Sequence, residues 1–223
     1  MMQDSFELFE ALYKLNLYDM DALPRWWPDD DDFRIVVEVI LTQQTRWEKV
    51  LESIRHLKEM GMLSLEGIVN AEHYRLASAI VPSGFYNQKA KRLKQLCLNI
   101  AEEFGDMAAF KEQVDRDWLL RQSGIGMESA DSILCYMAGH ETMVVDSYTT
   151  RLLEAHGYTF ESYDAIREWL EEGILANEPT LYARYPHVSN LNTAYCIFHG
   201  LIVEYCKQHC KRGKIDLIFK ENE

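Results

Sequence analysis

Residues 117–151 read DWLLRQSGIGMESADSILCYMAGHETMVVDSYTTR. The pattern predicts a short helix, a hairpin turn at Gly124-Ile125-Gly126, a second helix of about twelve residues, and a loop leading to Asp146. Two glycines around one apolar residue let the backbone turn tightly without a Cβ penalty. They also let several backbone N–H groups converge ahead of a helix start, where the positive end of the helix dipole favours an anion. Glycine hairpins join helices in many proteins. The ordered set around this one narrows its meaning: Leu119 and Leu120 before the turn, Ala130 and Ile133 after it, and a carboxylate following Met143-Val144-Val145.

Outward from this stretch, apolar residues recur at helical spacing. Phe6, Phe9, Leu12 and Tyr13 predict a helix over 5–16, and Asp4 with Glu7 suggests a capping box. Residues 21–32, with two prolines and an acidic run, read as a linker. Further helices are expected over 33–44, 47–60, 71–80, 87–104, 147–156, 162–174 and 187–209. No stretch alternates like a strand, and no repeat or low-complexity tract occurs. The expected fold class is all-α.

At 223 residues with 48% apolar content, the chain can bury a sizeable core. No run of eighteen apolar residues is present, so no membrane partner is expected. The start, MMQDSFELFEAL, lacks the basic and apolar regions of a secretory signal. Five scattered cysteines point to reduced thiols, and a cytoplasmic location is expected. The net charge of −13 opposes a broad nucleic-acid footprint. Distribution tempers the sum. Acids gather at Asp29–Asp32, Glu102–Glu103 and Glu168–Glu172, while bases gather at Lys89, Lys91, Arg92, Lys94 and at Lys207, Lys211, Arg212, Lys214.

The hairpin and Asp146, with LTQQT at 41–45 and GFYNQKAKRL at 84–93 in the same order, resemble the helix–hairpin–helix DNA glycosylases of the endonuclease III superfamily. The resemblance covers most of the chain. It implies two helical lobes with an active-site cleft between them: residues 30–140 as a helical barrel carrying the hairpin at 123–126, and residues 1–29 with 141–223 as the second lobe. It also implies a monomer acting on double-stranded DNA that contains damaged bases. Asp146 becomes the expected catalytic residue, stabilising positive charge on the sugar and orienting or deprotonating water. The alternative reading of Asp146 is the N-cap of SYTTRLL.

Members of that superfamily with strand-cleaving activity place a lysine on the second hairpin helix. Alignment on the hairpin puts Glu128 there, and a carboxylate forms no imine, so a monofunctional hydrolase is expected. The superfamily often carries an iron–sulfur cluster on four cysteines. Cys196, Cys206 and Cys210 lack the number and spacing, so the cluster is expected to be absent, with no metal site. A zinc set of His199, Cys206 and Cys210 competes with plain free thiols on a helix.

Trp26-Trp27-Pro28, the aromatic Trp47 after LTQQT, PSGFYNQKAKRL and GIGMESADSILCYM bring the resemblance closer to the 3-methyladenine DNA glycosylase branch lacking the cluster. That branch implies a base pocket walled by Trp26, Trp27, Pro28 and Trp47 and lined by Glu128. An indole face attracts a cationic alkylated purine by about 0.5–2 kcal/mol. Where the branch uses a lysine in its C-terminal helix, Leu201 stands here, with Lys207 as a substitute. Gln43 is expected to plug the gap left by an extruded base, and Phe85 to wedge the opposite strand. Their structural alternatives are a helix cap and a core residue. Lys89, Gly124, Gly126 and Ser129 are expected to hold DNA, with Lys89 alternatively on a solvated helix face. Two rival readings share the scaffold: a mismatch or uracil glycosylase, and a helix–hairpin–helix DNA-binding protein without catalysis.

Overall fold

The structure is a computed structural model describing residues 4–28, 30–211 and 214–218. Asp29 of the acidic run, Arg212 and the side chain of Lys211 lie outside the described residues. In chain order the helices are α1 (Ser5–Tyr13), α2 (Asp32–Thr42), α3 (Trp47–Glu59), α4 (Leu65–Asn70), α5 (His73–Ala79) and α6 (Tyr86–Glu103). They continue as α7 (Met107–Gln113), α8 (Arg116–Leu120), α9 (Met127–Ser132), α10 (Ser147–Ala155), α11 (Tyr163–Ala176), α12 (Glu178–Arg184) and α13 (Leu191–His209). A 3₁₀ turn, Val81–Ser83, precedes α6, and α9 widens into a π-helical stretch over Ile133–Ala138.

The fold is all-α. Its only strands among the described residues are β1 (Cys210–Lys211) and β2 (Lys214–Ile215), an antiparallel pair after α13 that the sequence pattern did not suggest. Three short helices, α4, α7 and α12, were also not expected, because six or seven residues carry too little periodicity to read. The first helix stops at Tyr13 rather than residue 16, where Asn16 turns left-handed at φ +49°. Among the described residues, no helix is long and apolar enough to cross a membrane.

Helix starts are strongly encoded. Asp4, Asp31, Ser64, Asp106, Asp115, Asp146, Ser162 and Asn190 each accept a hydrogen bond from the backbone N–H three residues on. Such a cap contributes about 1 kcal/mol. The chain divides into two compact units, Asp29–Ala138 and Met1–Pro28 with Gly139–Glu223. The first is built on α2, whose Val36, Val37, Ile40 and Leu41 are fully or almost fully buried among α3, α6, α7, α9 and the π-helical stretch. The second is built on α13, buried along most of its length and packed by α1, α10 and α11. Ser5 Oγ donates to Leu170 O there, and Gly173 admits the Ser5 backbone so closely that a Cβ would sit 2.8 Å from its nitrogen.

Candidate active site

Asp146 is fixed by the chain on both sides. Val144 and Val145 are buried before it, and Ser147 opens α10 after it, which makes Asp146 the N-cap. Its Oδ1 accepts from Thr149 N at 2.8 Å and from Thr149 Oγ1 at 2.9 Å. Its Oδ2 lies 3.8 Å from Nε2 of His199 on α13, and the side chain keeps 15% exposure. Burial alone would push this carboxyl up. His199 and the two Thr149 donors outweigh that and hold it below the usual carboxylate range. A carboxylate held low is a weak base but a permanent negative charge, so the geometry suits stabilising a cation better than deprotonating water.

Trp26 is gripped within the same unit. Its backbone is left-handed at φ +63°, an uncommon conformation for a bulky residue. Its Nε1 donates to Glu204 Oε1 at 3.2 Å, and the Lys207 ammonium stands 5.5 Å from its ring centroid. The edge-on rings of His199 and Trp27 lie 5.2 and 6.2 Å away. Beneath it is Gly200: a Cβ there would lie 2.5 Å from Trp26 Cβ and 2.7 Å from Cδ1. Trp26, expected as a pocket wall, is half-buried and held from several sides. It is an anchor joining the Asp146–His199 pair to Trp27, which is half-buried, with Pro28 exposed beyond it. Lys207, the expected substitute, has its ammonium 2.8 Å from Glu204 Oε1 and 5.5 Å from the Trp26 ring centroid, while Leu201 is fully buried.

Cys196, Cys206 and Cys210 are free thiols. Cys206 donates its thiol to Tyr148 O, and burial pushes that thiol up to about 12, far from a thiolate. His199 faces Asp146 and Trp26. Among the described residues no three His, Cys, Asp or Glu side chains converge as a metal-binding set.

The hairpin residues lie in the other unit. Gly124 has φ +84° and covers the Arg92 side chain so tightly that a Cβ would fall 2.5 Å from Nε. Ile125 is buried, Gly126 caps α9, and Glu128 is exposed in the first turn of α9. Trp47 is the half-buried first residue of α3. Two expectations are corrected here, for Ser129 and Lys89. Gln43 is half-buried, and its Nε2 donates to Gly124 O at 3.0 Å and to Ser129 Oγ at 3.1 Å, tying LTQQT to the hairpin. Ser129 is therefore an internal partner, 8% exposed, rather than a surface DNA contact. Lys89 is 3% exposed and turned inward, neither on a solvated face nor toward phosphate.

Gln44 is exposed with φ +53°, and Phe85 is 65% exposed with φ +43°, just before α6. The core alternative for Phe85 is therefore excluded. Trp26, Gln44 and Phe85 are three of the four described non-glycine residues with left-handed backbone, and strain of that kind collects at functional sites. Phe85→Gly is expected to raise stability by roughly 0.5–1 kcal/mol, the strain relieved less the added freedom of the unfolded chain. A thermal melt checks it.

Sequence reasoning missed His199 as the carboxylate's partner, Gly200 as the seat of Trp26, and Gln44. One signal was available. A glycine inside an apolar helix costs about 1 kcal/mol against alanine and marks a close approach, and Gly200 sits in the middle of α13.

With the site in view, comparison with known proteins is direct. The profile of the HhH-GPD superfamily of base excision DNA repair proteins matches residues 37–174, from α2 through the hairpin and Asp146 into α11. The chain belongs to that superfamily. Among HhH-GPD relatives, the "Putative DNA repair glycosylase MJ1434" of Methanocaldococcus jannaschii is 36% identical over 220 residues, covering 95% of this chain and 93% of the relative. The crystal structure of H. pylori 3-methyladenine DNA glycosylase, MagIII, bound to 1,N6-ethenoadenine superposes with TM-score 0.88 at 41% identity. It covers 93% of this chain and 99% of that one. An endonuclease III trapped covalently on DNA shares the fold, with TM-score 0.68 at 17% identity over 96% and 91% of the two chains.

Proposed function

We propose that this HhH-GPD protein is a monofunctional DNA glycosylase that removes alkylated purines, 3-methyladenine foremost, from double-stranded DNA, acting as a monomer without an iron–sulfur cluster. The observation that carries the reading is the Asp146 carboxylate, held ionised at the start of α10 by His199 and Thr149. The likeness to a 3-methyladenine glycosylase at 41% identity supports the substrate class.

The chemistry follows from these groups. The hairpin at Gly124–Gly126, with its backbone N–H groups at the start of α9, takes a phosphate. The damaged nucleotide swings out of the stack, which costs least where pairing is already weakened. Gln44 fills the gap and Phe85 wedges the step. Trp27, joined to the Asp146–His199 pair through Trp26, offers an indole face, and a cationic purine gains about 0.5–2 kcal/mol on such a face. Positive charge on the base already weakens the glycosidic bond, so no strong general acid is required. Asp146 stabilises the cationic sugar as the bond breaks, and water completes the hydrolysis. Glu128 in place of a lysine leaves no amine there for a Schiff base.

The test is chromatography of bases released from methylated duplex. Release of 3-methyladenine with no covalent complex trapped by borohydride is the expected result. A trapped complex refutes the monofunctional reading. Release from uracil or mismatched duplex alone refutes the substrate, and tight binding with no release from any duplex refutes catalysis.

A further inference from the structure

Lys89 is the one buried ammonium in the helix that follows the proposed wedge. It occupies the fourth position of α6, and its N–H donates to Phe85 O at 2.9 Å. Helical side chains lean toward the N-terminus of their helix, so its long stem runs back beneath Phe85. An ammonium has three donors. Here all three are used: Nζ donates to Leu41 O at 2.7 Å, to Thr45 Oγ1 at 2.7 Å and to Ser83 O at 2.8 Å. Two acceptors belong to the end of α2 and the turn after it, and the third to the turn before α6. Thr45 Oγ1 closes the knot by donating to Ser83 O at 2.5 Å.

The residues so tied flank the strained ones. Gln44 precedes Thr45, and Gly84 and Phe85 follow Ser83; all three have left-handed backbone, at φ +53°, +66° and +43°. Left-handed non-glycine residues persist only where their surroundings over-determine them. A charge buried this deeply is costly unless every donor is satisfied, so a merely filling side chain at this position would be apolar.

We propose that Lys89 is a positioning residue that fixes the Gln44 turn to the Phe85 turn, so that plug and wedge enter the duplex as one rigid pair. The inference rests on the glycosylase reading of these two side chains. It assigns Lys89 to the distortion of DNA rather than to contact with DNA or to bond cleavage.

The test uses a duplex carrying 2-aminopurine beside an abasic-site analogue, so no chemistry is needed. Unstacking on binding raises the fluorescence of the probe. Wild-type protein is expected to give the rise. Lys89→Met is expected to bind the duplex within about threefold of wild type yet lose most of the rise, and to slow base release from paired duplex by roughly tenfold or more. Release from the same lesion in a mismatch, where extrusion is easier, is expected to fall far less. Where Lys89→Met fails to fold, Thr45→Val removes one acceptor and the bridge to Ser83, and is expected to lose part of the rise.

A Lys89→Met or Thr45→Val protein that matches wild type overturns the proposal, as does an equal loss on paired and mismatched duplex, which marks a structural role. Wild-type binding without any fluorescence rise overturns it as well, and leaves the glycosylase reading to stand or fall on base release.

Discussion

Asp146→Asn is expected to lower single-turnover base release from alkylated duplex by about 10²–10³-fold, the range found when one preorganised electrostatic group is lost. The substitution is informative because it separates the two roles of the residue. Asparagine caps a helix as well as aspartate does, so the bonds that Oδ1 accepts from Thr149 N and Oγ1 can persist, and α10 should start unchanged. What disappears is the negative charge facing His199, on which the proposed stabilisation of the cationic sugar depends. Asp146→Ala removes the cap too, at about 1 kcal/mol, and mixes stability with chemistry. The pH dependence has a definite sign. The folded carboxyl sits below its ordinary value, so its contribution to stability is present above the unfolded value and is lost as pH falls through the folded one. The acid limb of the rate profile should therefore lie below the usual carboxylate range, and the residual rate of Asp146→Asn should lack that limb. An acid limb at or above pH 4–5, near the unperturbed carboxylate value of about 4, refutes this account of the site.

The position of Asp146 was legible because it follows a buried apolar run and precedes a helix, two signals that lie side by side in the chain. Its environment was not. His199 comes from α13, fifty-three residues later, and nothing in the local pattern of an apolar helix says which turn faces the carboxylate. Gln43 and Gln44 show the same limit at closer range. Both stand in LTQQT, and the sequence cannot tell which amide is folded back onto the hairpin and which is left outside by a left-handed turn. Lys89 misled for a physical reason: lysine in an amphipathic helix usually belongs to the solvated face, and only the convergence of three acceptors from two turns makes its burial tolerable. The acidic composition is also partly structural. Asp31, Asp106 and Asp115 cap helices, while Asp131 and Glu38 are fully buried against Arg116 and Arg34. Net charge counts these acids as surface field, and the fold spends them on caps and internal pairs.

Gly200→Ala, a single added methyl group, is expected to cost about 1–3 kcal/mol in stability and to lower activity by roughly 10²-fold, because overpacking forces the neighbour to move and an ångström of misplacement is expensive in catalysis. Alanine is ordinarily favoured over glycine within a helix by about 1 kcal/mol, so propensity alone predicts the opposite sign. Contact decides against propensity. The new Cβ would lie 2.5 Å from Cβ and 2.7 Å from Cδ1 of Trp26, and neither is the far end of a flexible side chain. The Trp26 backbone is already left-handed and its Nε1 is tied to Glu204, so it has little freedom to retreat without giving up that bond. Any retreat also disturbs the edge contacts with Trp27 and with His199, the partner of Asp146. The expected signature is a lower melting temperature together with a higher KM for alkylated duplex, from the displaced Trp27, and a lower kcat, from the loosened His199. Glu204→Gln keeps the acceptor for Trp26 Nε1 and should lose far less of either. A Gly200→Ala protein as stable and as active as wild type would show that Trp26 is not the element joining the carboxylate to Trp27.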